Sequence, residues 1–227
     1  MKRLLLTLVL GAAVAVTPAQ ADTVDVSAFT GLGVTLTSPY WNTGTTAGSV
    51  TISDVQGLAP LANGASFISF CVDLQHTITP PLNNTPAALD LMSEWDGYDV
   101  FTPQANAGRY AAWLYNTYAS TAMTTTQRAG LGLAIWNVLY DNDFTVLSGT
   151  FMSSNEYGAN TFLSGLNANL DKAALADAYW LRLYPVGGDP NAAPQDFIAP
   201  IPDGGMTLML LGGALVGLGA LRRKFRG

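Results

Sequence analysis

Ser66-Phe67-Ile68-Ser69-Phe70-Cys71-Val72-Asp73-Leu74 is the most strand-like stretch of this 227-residue chain. It is nearly continuous in apolar residues, which is how a strand buried on both faces reads, so it is expected to be central in a sheet. Thr79-Pro80-Pro81 ends it, and Asn83, Asn84 and Pro86 read as the loop that follows. Upstream, Asp22 to Leu58 is rich in Thr, Val, Ser and Gly, with short alternations at Val24-Asp25-Val26, Val34-Thr35-Leu36 and Ser49-Val50-Thr51-Ile52. Period-2 patterning bounded by turn-like Asn42-Thr43-Gly44 predicts short antiparallel strands. Tyr40 and Trp41, beside Pro39, read as a core or turn anchor.

Downstream the period changes. Ala87 to Trp95 reads as a short helix or irregular chain. Tyr110, Trp113, Leu114 and Tyr118 recur at three and four residues, which predicts an amphipathic helix over 106–119. A second helix, capped by Thr125 or Thr126, carries Leu131, Ile135, Val138 and Leu139 on one face, with Trp136 and Tyr140 beside it. Gly130 and Gly132 inside it cost about 1 kcal/mol each relative to Ala, for which close helix–strand approach is the usual compensation. A third helical region is expected over 155–184, broken near Gly165 and ending in Ala178-Tyr179-Trp180-Leu181-Arg182-Leu183-Tyr184. After Gly187, Gly188, Pro190 and Pro194 mark a loop, Gln195-Asp196-Phe197-Ile198 returns as a last short strand. The class is therefore α+β: an antiparallel, barrel-like sheet in the N-terminal half packed with a helical C-terminal half around one core.

Both ends of the chain read as addresses. Lys2 and Arg3 precede an apolar run from Leu4 to Val16, and Ala19-Gln20-Ala21 places small residues at −3 and −1. That is a secretory signal peptide over 1–21, cut after Ala21. At the other end Ile201-Pro202-Asp203-Gly204-Gly205 precedes an uncharged run over 206–221 and a basic tail over 222–227 with Arg222, Arg223, Lys224 and Arg226. As a helix the run spans about 24 Å, slightly short of a bilayer core of about 30 Å. Gly204 and Gly205 extend it and Arg222 snorkels to the headgroups, so a single transmembrane helix is expected, its basic end cytoplasmic.

A Pro-Asp motif, one hydrophobic span and a terminal basic cluster together resemble the PEP-CTERM sorting signal of Gram-negative bacteria, in its VPDGG-like form. The resemblance covers about 27 residues. It implies an exosortase as partner, cutting near Ile201 to Gly205 after export across the inner membrane. It also implies a surface or matrix protein associated with biofilm or exopolysaccharide. The local chemistry agrees: Pro202 holds Ile201 extended, and Asp203-Gly204 signals an accessible turn.

Between the addresses, residues 22–200 form the expected body. Six of the ten bases lie in the end segments, while every acid lies between Asp22 and Asp203, so that interval holds four bases against sixteen acids, a net of −12. Such a charge opposes binding to nucleic acid or anionic lipid and favours solubility. The single cysteine, Cys71, leaves an exported body with no internal disulfide, so packing must supply its stability.

Within the body, Phe70-Cys71-Val72-Asp73-Leu74, Ala111-Ala112-Trp113-Leu114-Tyr115-Asn116 and Leu131-Gly132-Leu133-Ala134-Ile135-Trp136-Asn137-Val138-Leu139-Tyr140-Asp141 resemble a domain common in PEP-CTERM proteins. They are also similar to the thioester domains of Gram-positive adhesins. The latter resemblance implies a strand Cys joined to a helix Gln with loss of ammonia, a masked electrophile that captures amines. Thiolate and carboxamide are both required. Here the position matching that Gln is Gly132. Gln127 lies five residues earlier, about 140° around the helix, and Gln75 shares the strand face of Cys71 at no familiar spacing. The body is accordingly expected to be thioester-domain-like with the covalent chemistry absent and Cys71 a buried free thiol.

Other chemistry is thin. His76 is the only histidine, which excludes a two-His zinc site, and a Cys71–His76 pair five apart on one strand points to opposite faces. Asp141-Asn142-Asp143 has a fragment of calcium-loop character, but the glycine and closing glutamate are missing, and a helix-terminating acidic turn explains it. Asp90, Glu94, Asp96 and Asp99, beside Trp95 and Tyr98, read as a solvated acidic loop, with a carbohydrate site as the sharper alternative. No catalytic residue, metal or cofactor is assigned. The function expected is that of an exported, exosortase-processed, non-enzymatic surface or matrix protein. The alternatives are a thioester adhesin using Cys71 with another acyl donor, and a secreted carbohydrate-acting enzyme.

Overall fold

The computed structural model describes residues 22–37, 42–76, 79–96, 105–141, 143–185 and 195–202. Ala19, Ala21, Tyr40, Trp41, Tyr98, Asp99, Asp203, Gly204, Gly205, the apolar run 206–221 and the basic cluster Arg222, Arg223, Lys224 and Arg226 lie outside the described residues. The strands are β1 (Thr23–Val26), β2 (Thr30–Thr37), β3 (Asn42–Gln56), β4 (Phe67–Cys71), β5 (Leu82–Leu91), β6 (Met152–Ser153), β7 (Tyr179–Leu183) and β8 (Phe197–Ala199). The helices are α1 (Ala107–Tyr118), α2 (Thr125–Tyr140), α3 (Ala159–Asn167) and the single turn α4 (Leu170–Ala173). All strand pairings are antiparallel. The order β1-β5-β7-β8-β4-β3, with β3 returning to β1, closes six strands into a barrel. The fold is α+β, and β4 is central, held by β3 on one side and β8 on the other.

β3 does two jobs. Its second half pairs with β4 and β1 in the barrel, while its first half leaves to form a ladder with β2, to whose far edge β6 is added. Gly31 and Gly48 face each other across that ladder, and a Cβ on either would collide with the opposite backbone. These glycines let the two strands press together where the hairpin departs from the barrel.

α2 packs against β2 and β3 on one side and against α1 and α3 on the other. Residues Ala129 to Leu139 are all buried. An element apolar on every side is a core helix rather than an amphipathic one, so the single buried face expected from Leu131, Ile135, Val138 and Leu139 is too narrow a description. The helix begins one residue earlier than the sequence suggests: Thr124, not Thr125 or Thr126, caps it. The Thr124 hydroxyl accepts from the Gln127 N–H, and Gln127 Oε1 accepts from the Thr124 N–H at 2.9 Å. Gly132 lies with its Cα against the Gly48 backbone, and Gly130 lies against the Tyr157 carbonyl, so both glycines are close-approach sites.

Three segments differ from expectation. Asn42-Thr43-Gly44 is the start of β3, not a turn, because Thr37 to Leu36 to Thr35 supply a full ladder of partners. Asn83, Asn84 and Pro86 belong to β5, not a loop, and the strand runs on through Ala87 to Leu91 before a 3-10 turn at Met92–Glu94. Pro86 is tolerated because it stands where β5 hands over from β1 to β7, so no ladder depends on its missing N–H. Tyr179–Leu183 is strand β7 rather than a helix end, paired on both sides with β5 and β8. The sheet therefore draws on both halves of the chain.

Candidate functional site

The polar groups converge where β4 runs out. Cys71 is its last residue and is 1 % exposed. Its thiol donates to the Asp73 carbonyl at 2.7 Å and accepts from the Asp73 N–H at 3.2 Å. Asp73 has no exposed surface, yet its carboxylate is well satisfied. Oδ1 accepts from the backbone N–H of Gln75 at 2.7 Å and of His76 at 3.2 Å, and Oδ2 lies 2.5 Å from His76 Nδ1. A buried carboxylate folded over its own next turn is the arrangement that Asp favours in tight turns, and it reverses the chain after β4.

The core helix reaches the same place. Trp136 Nε1 donates to the Cys71 carbonyl at 2.9 Å, and the Tyr140 hydroxyl donates to the Val72 carbonyl at 3.2 Å while accepting from Leu74 N–H at 2.9 Å. The C-terminal end of the body closes the cluster. Gln195 Nε2 donates to the Asp73 carbonyl at 2.7 Å. Asp196, 4 % exposed, accepts from Trp180 Nε1 at 3.0 Å and Leu183 N–H at 2.9 Å, and its carbonyl accepts from Val72 N–H at 3.0 Å. β4, β7, β8 and α2 are thus tied together by groups that would each be costly to bury alone.

The electrostatics restrain chemistry here. Burial pushes the Cys71 thiol well above its ordinary value, and the Asp73 charge pushes in the same direction. Burial, then Asp73, likewise raise Tyr140. At neutral pH Cys71 carries its proton, and the protonated thiol is a poor nucleophile.

The residues singled out from sequence fall as follows. Cys71 is buried with a free thiol. His76 sits in the turn after β4, about one-third exposed, with Nδ1 on the Asp73 carboxylate while the thiol uses the Asp73 backbone, so no nucleophile–base pair forms between them. A Cβ at Gly132 would stand 3.2 Å from both N and O of Gly48, tighter than ordinary contact, so a longer side chain there would require the β3 backbone to give way. Gln127 is spent on the helix cap. Asp90 is paired with Arg182 at 3.2 Å, and Trp95 is buried edge-on against Tyr140 at 5.7 Å. A buried indole cannot stack on a sugar, so Trp95 does not flank a carbohydrate site. Ile201 and Pro202 are exposed, separated from the end of β8 by Pro200.

The sequence pattern gives Gln195 no role beyond opening the last strand. It shares an acceptor with the Cys71 thiol and is 7 % exposed, so a carboxamide does stand beside the chain's one thiol. Its only signal was a polar pair, Gln195-Asp196, directly before an apolar strand. No family model, no curated protein and no solved structure matches this chain.

Proposed function

We propose that the protein is exported across an inner membrane, held there by its C-terminal apolar run, and cut near Ile201 to Gly205 by an exosortase. The product is a non-enzymatic surface or matrix protein, with adhesion or exopolysaccharide association as its role. What carries this reading is where the folded body stops relative to the two address segments. β1 begins at Thr23, two residues beyond Ala21, and β8 ends at Ala199, two residues before Ile201. Asp22 still contributes its carbonyl to Ala87 N–H, at 3.0 Å. Cutting at both addresses would leave every strand of the barrel in place. Among the described residues no helix is long and apolar enough to cross a membrane. The test is fractionation of host cells with and without the exosortase, with intact mass of the released product. Loss of the tail only in the competent strain is expected; a tail retained in both strains ends the proposal.

A second reading, a thioester adhesin, is favoured by the single observation that Cys71 and Gln195 meet on one carbonyl. The Cys71 sulfur would bond to Gln195 Cδ as the Cδ–Nε2 bond breaks, the nitrogen leaving as ammonia with the thiol proton. The product would be lighter by about 17 Da and would open on methylamine treatment. An unmodified mass for the mature body leaves the non-covalent reading alone.

A further inference from the structure

We propose that the turn after α2 is a calcium site, built from Asp141, Asp143 and the side-chain oxygen of Asn137. Asp141 caps the C-terminal end of α2 and is half-buried, while Asp143 is exposed two residues on. Both carboxylates crowd the same point, the place a Cβ would occupy on Gly149, which has φ +93°. Their Oδ2 atoms are therefore within about 5 Å of each other, the span that two ligands of one calcium ion reach at about 2.4 Å each. Asp141 Oδ2 accepts from the Thr150 and Phe151 N–H groups at 2.6 and 2.9 Å, and Asp143 Oδ1 from Asn137 Nδ2 and the Thr145 N–H. These donors are neutral: neither carboxylate has a basic partner among the described residues, where the ion pairs are His76–Asp73 and Arg182–Asp90. No third acid joins them.

The independent observation is Asn137. It lies one helical turn before Asp141 on α2 and has no exposed surface. Its nitrogen is used in full, donating to Asp143 Oδ1 at 2.9 Å and to the Thr145 carbonyl at 2.8 Å. Its oxygen has no partner. A buried acceptor left unsatisfied is uncommon and points to a missing ion or water. Because that oxygen shares a carboxamide with the nitrogen on Asp143, it stands within about 5 Å of the Asp143 carboxylate, again the reach of one calcium ion. The set is all oxygen, two charged and one neutral, which is hard-cation chemistry. Calcium suits it better than magnesium, because calcium accepts irregular geometry and completes its shell with water on the exposed Asp143 side. Three protein ligands place the affinity in the range of extracellular modules, about 10⁻⁴ to 10⁻³ M.

The experiment is thermal unfolding of the purified, chelator-treated protein with added CaCl2 or MgCl2, for the native chain and for Asp143→Asn, with calorimetric titration of CaCl2. The native chain should gain stability with calcium, half-saturating near 1 mM, and much less with magnesium. In chelator the Asp143→Asn chain should melt at or above the native temperature, since it removes the repulsion between the two carboxylates and keeps the oxygen acceptor. With calcium it should melt lower than the native chain, its affinity reduced at least about tenfold. That crossing distinguishes a ligand from a residue that merely shapes the turn. A calcium response absent up to 10-fold above the millimolar range, equal for magnesium, or unchanged in Asp143→Asn would overturn the site and leave a buried water as the partner of Asn137.

Discussion

Asp73 shows how one side chain can fix a chain reversal and mute its neighbour. Three donors converge on its carboxylate, and its backbone carbonyl takes both the Cys71 thiol and the Gln195 amide. The negative charge thereby held against Cys71 adds to burial in keeping the thiol protonated. A stability effect follows, and its sign can be worked out. In the unfolded chain the thiol ionises near its ordinary 9.0, while in the native protein it holds its proton well above that. Above pH 9 the native state therefore binds more protons than the unfolded one, and stability falls as pH rises. The full contribution is present below pH 9, and each such group removes at most about 1.4 kcal/mol per pH unit above it. Urea midpoints at pH 8 and pH 10 should fall less in Cys71→Ala than in the native chain, the remaining slope coming in part from Tyr140. Equal slopes would show that Cys71 titrates normally. A glycine gives a second, opposed pair of expectations. Helix propensity says that Gly130→Ala stabilises α2 by about 1 kcal/mol. Its Cβ would strike the Tyr157 carbonyl, a backbone atom that cannot turn aside, so we expect a net loss of about 1–3 kcal/mol in urea unfolding.

At the scale of elements, what could be read from the sequence divides according to where the determining contacts lie. β4 and α1 announce themselves through local pattern, an unbroken apolar run in one case and a three-to-four spacing in the other. The glycines of α2 likewise imply close approach before any partner is known. β5 could not be read, because Asn83, Asn84 and Pro86 are local signals for a loop and lose to pairing with β1 and β7. β7 was hidden for the same reason: Tyr179–Leu183 suits strand or helix, and β5 and β8 decide it. Gln195 escaped notice because it lies 122 residues from the carbonyl it bonds, beyond the reach of any spacing rule. The cap of α2, Thr124, stands one residue before the earlier of the two threonines that the sequence suggests, and its chemistry is ordinary and can be measured. Thr124→Ala removes the hydroxyl that accepts from Gln127 N–H and should cost about 1 kcal/mol by urea unfolding. Thr126→Ala, exposed and outside the cap, should change it by less than about 0.5 kcal/mol, and the reverse order would return the cap to the later threonine.

For the whole molecule, barrel closure decides how much chain the body needs. β8 is only three residues long, but it is the strand between β7 and β4. Without it the barrel opens along two edges, and Gln195 and Asp196 no longer tie β4 to β7 through Asp73, Val72, Trp180 and Leu183. Phe197, Ile198 and Ala199 are all fully buried, so their loss also exposes apolar surface that only packing had covered. With no disulfide to hold an opened barrel together, cooperativity should fail as a unit. A chain of residues 22–202 should therefore unfold in one sharp urea transition, whereas residues 22–194 should give no cooperative transition at all. Removing eight residues from a surface tail would cost almost nothing; removing these eight should remove the fold. If 22–194 still unfolds cooperatively with a similar midpoint, β8 is an ornament on an open sheet, and the natural boundary of the body must lie before it rather than at the exposed Ile201-Pro202 step.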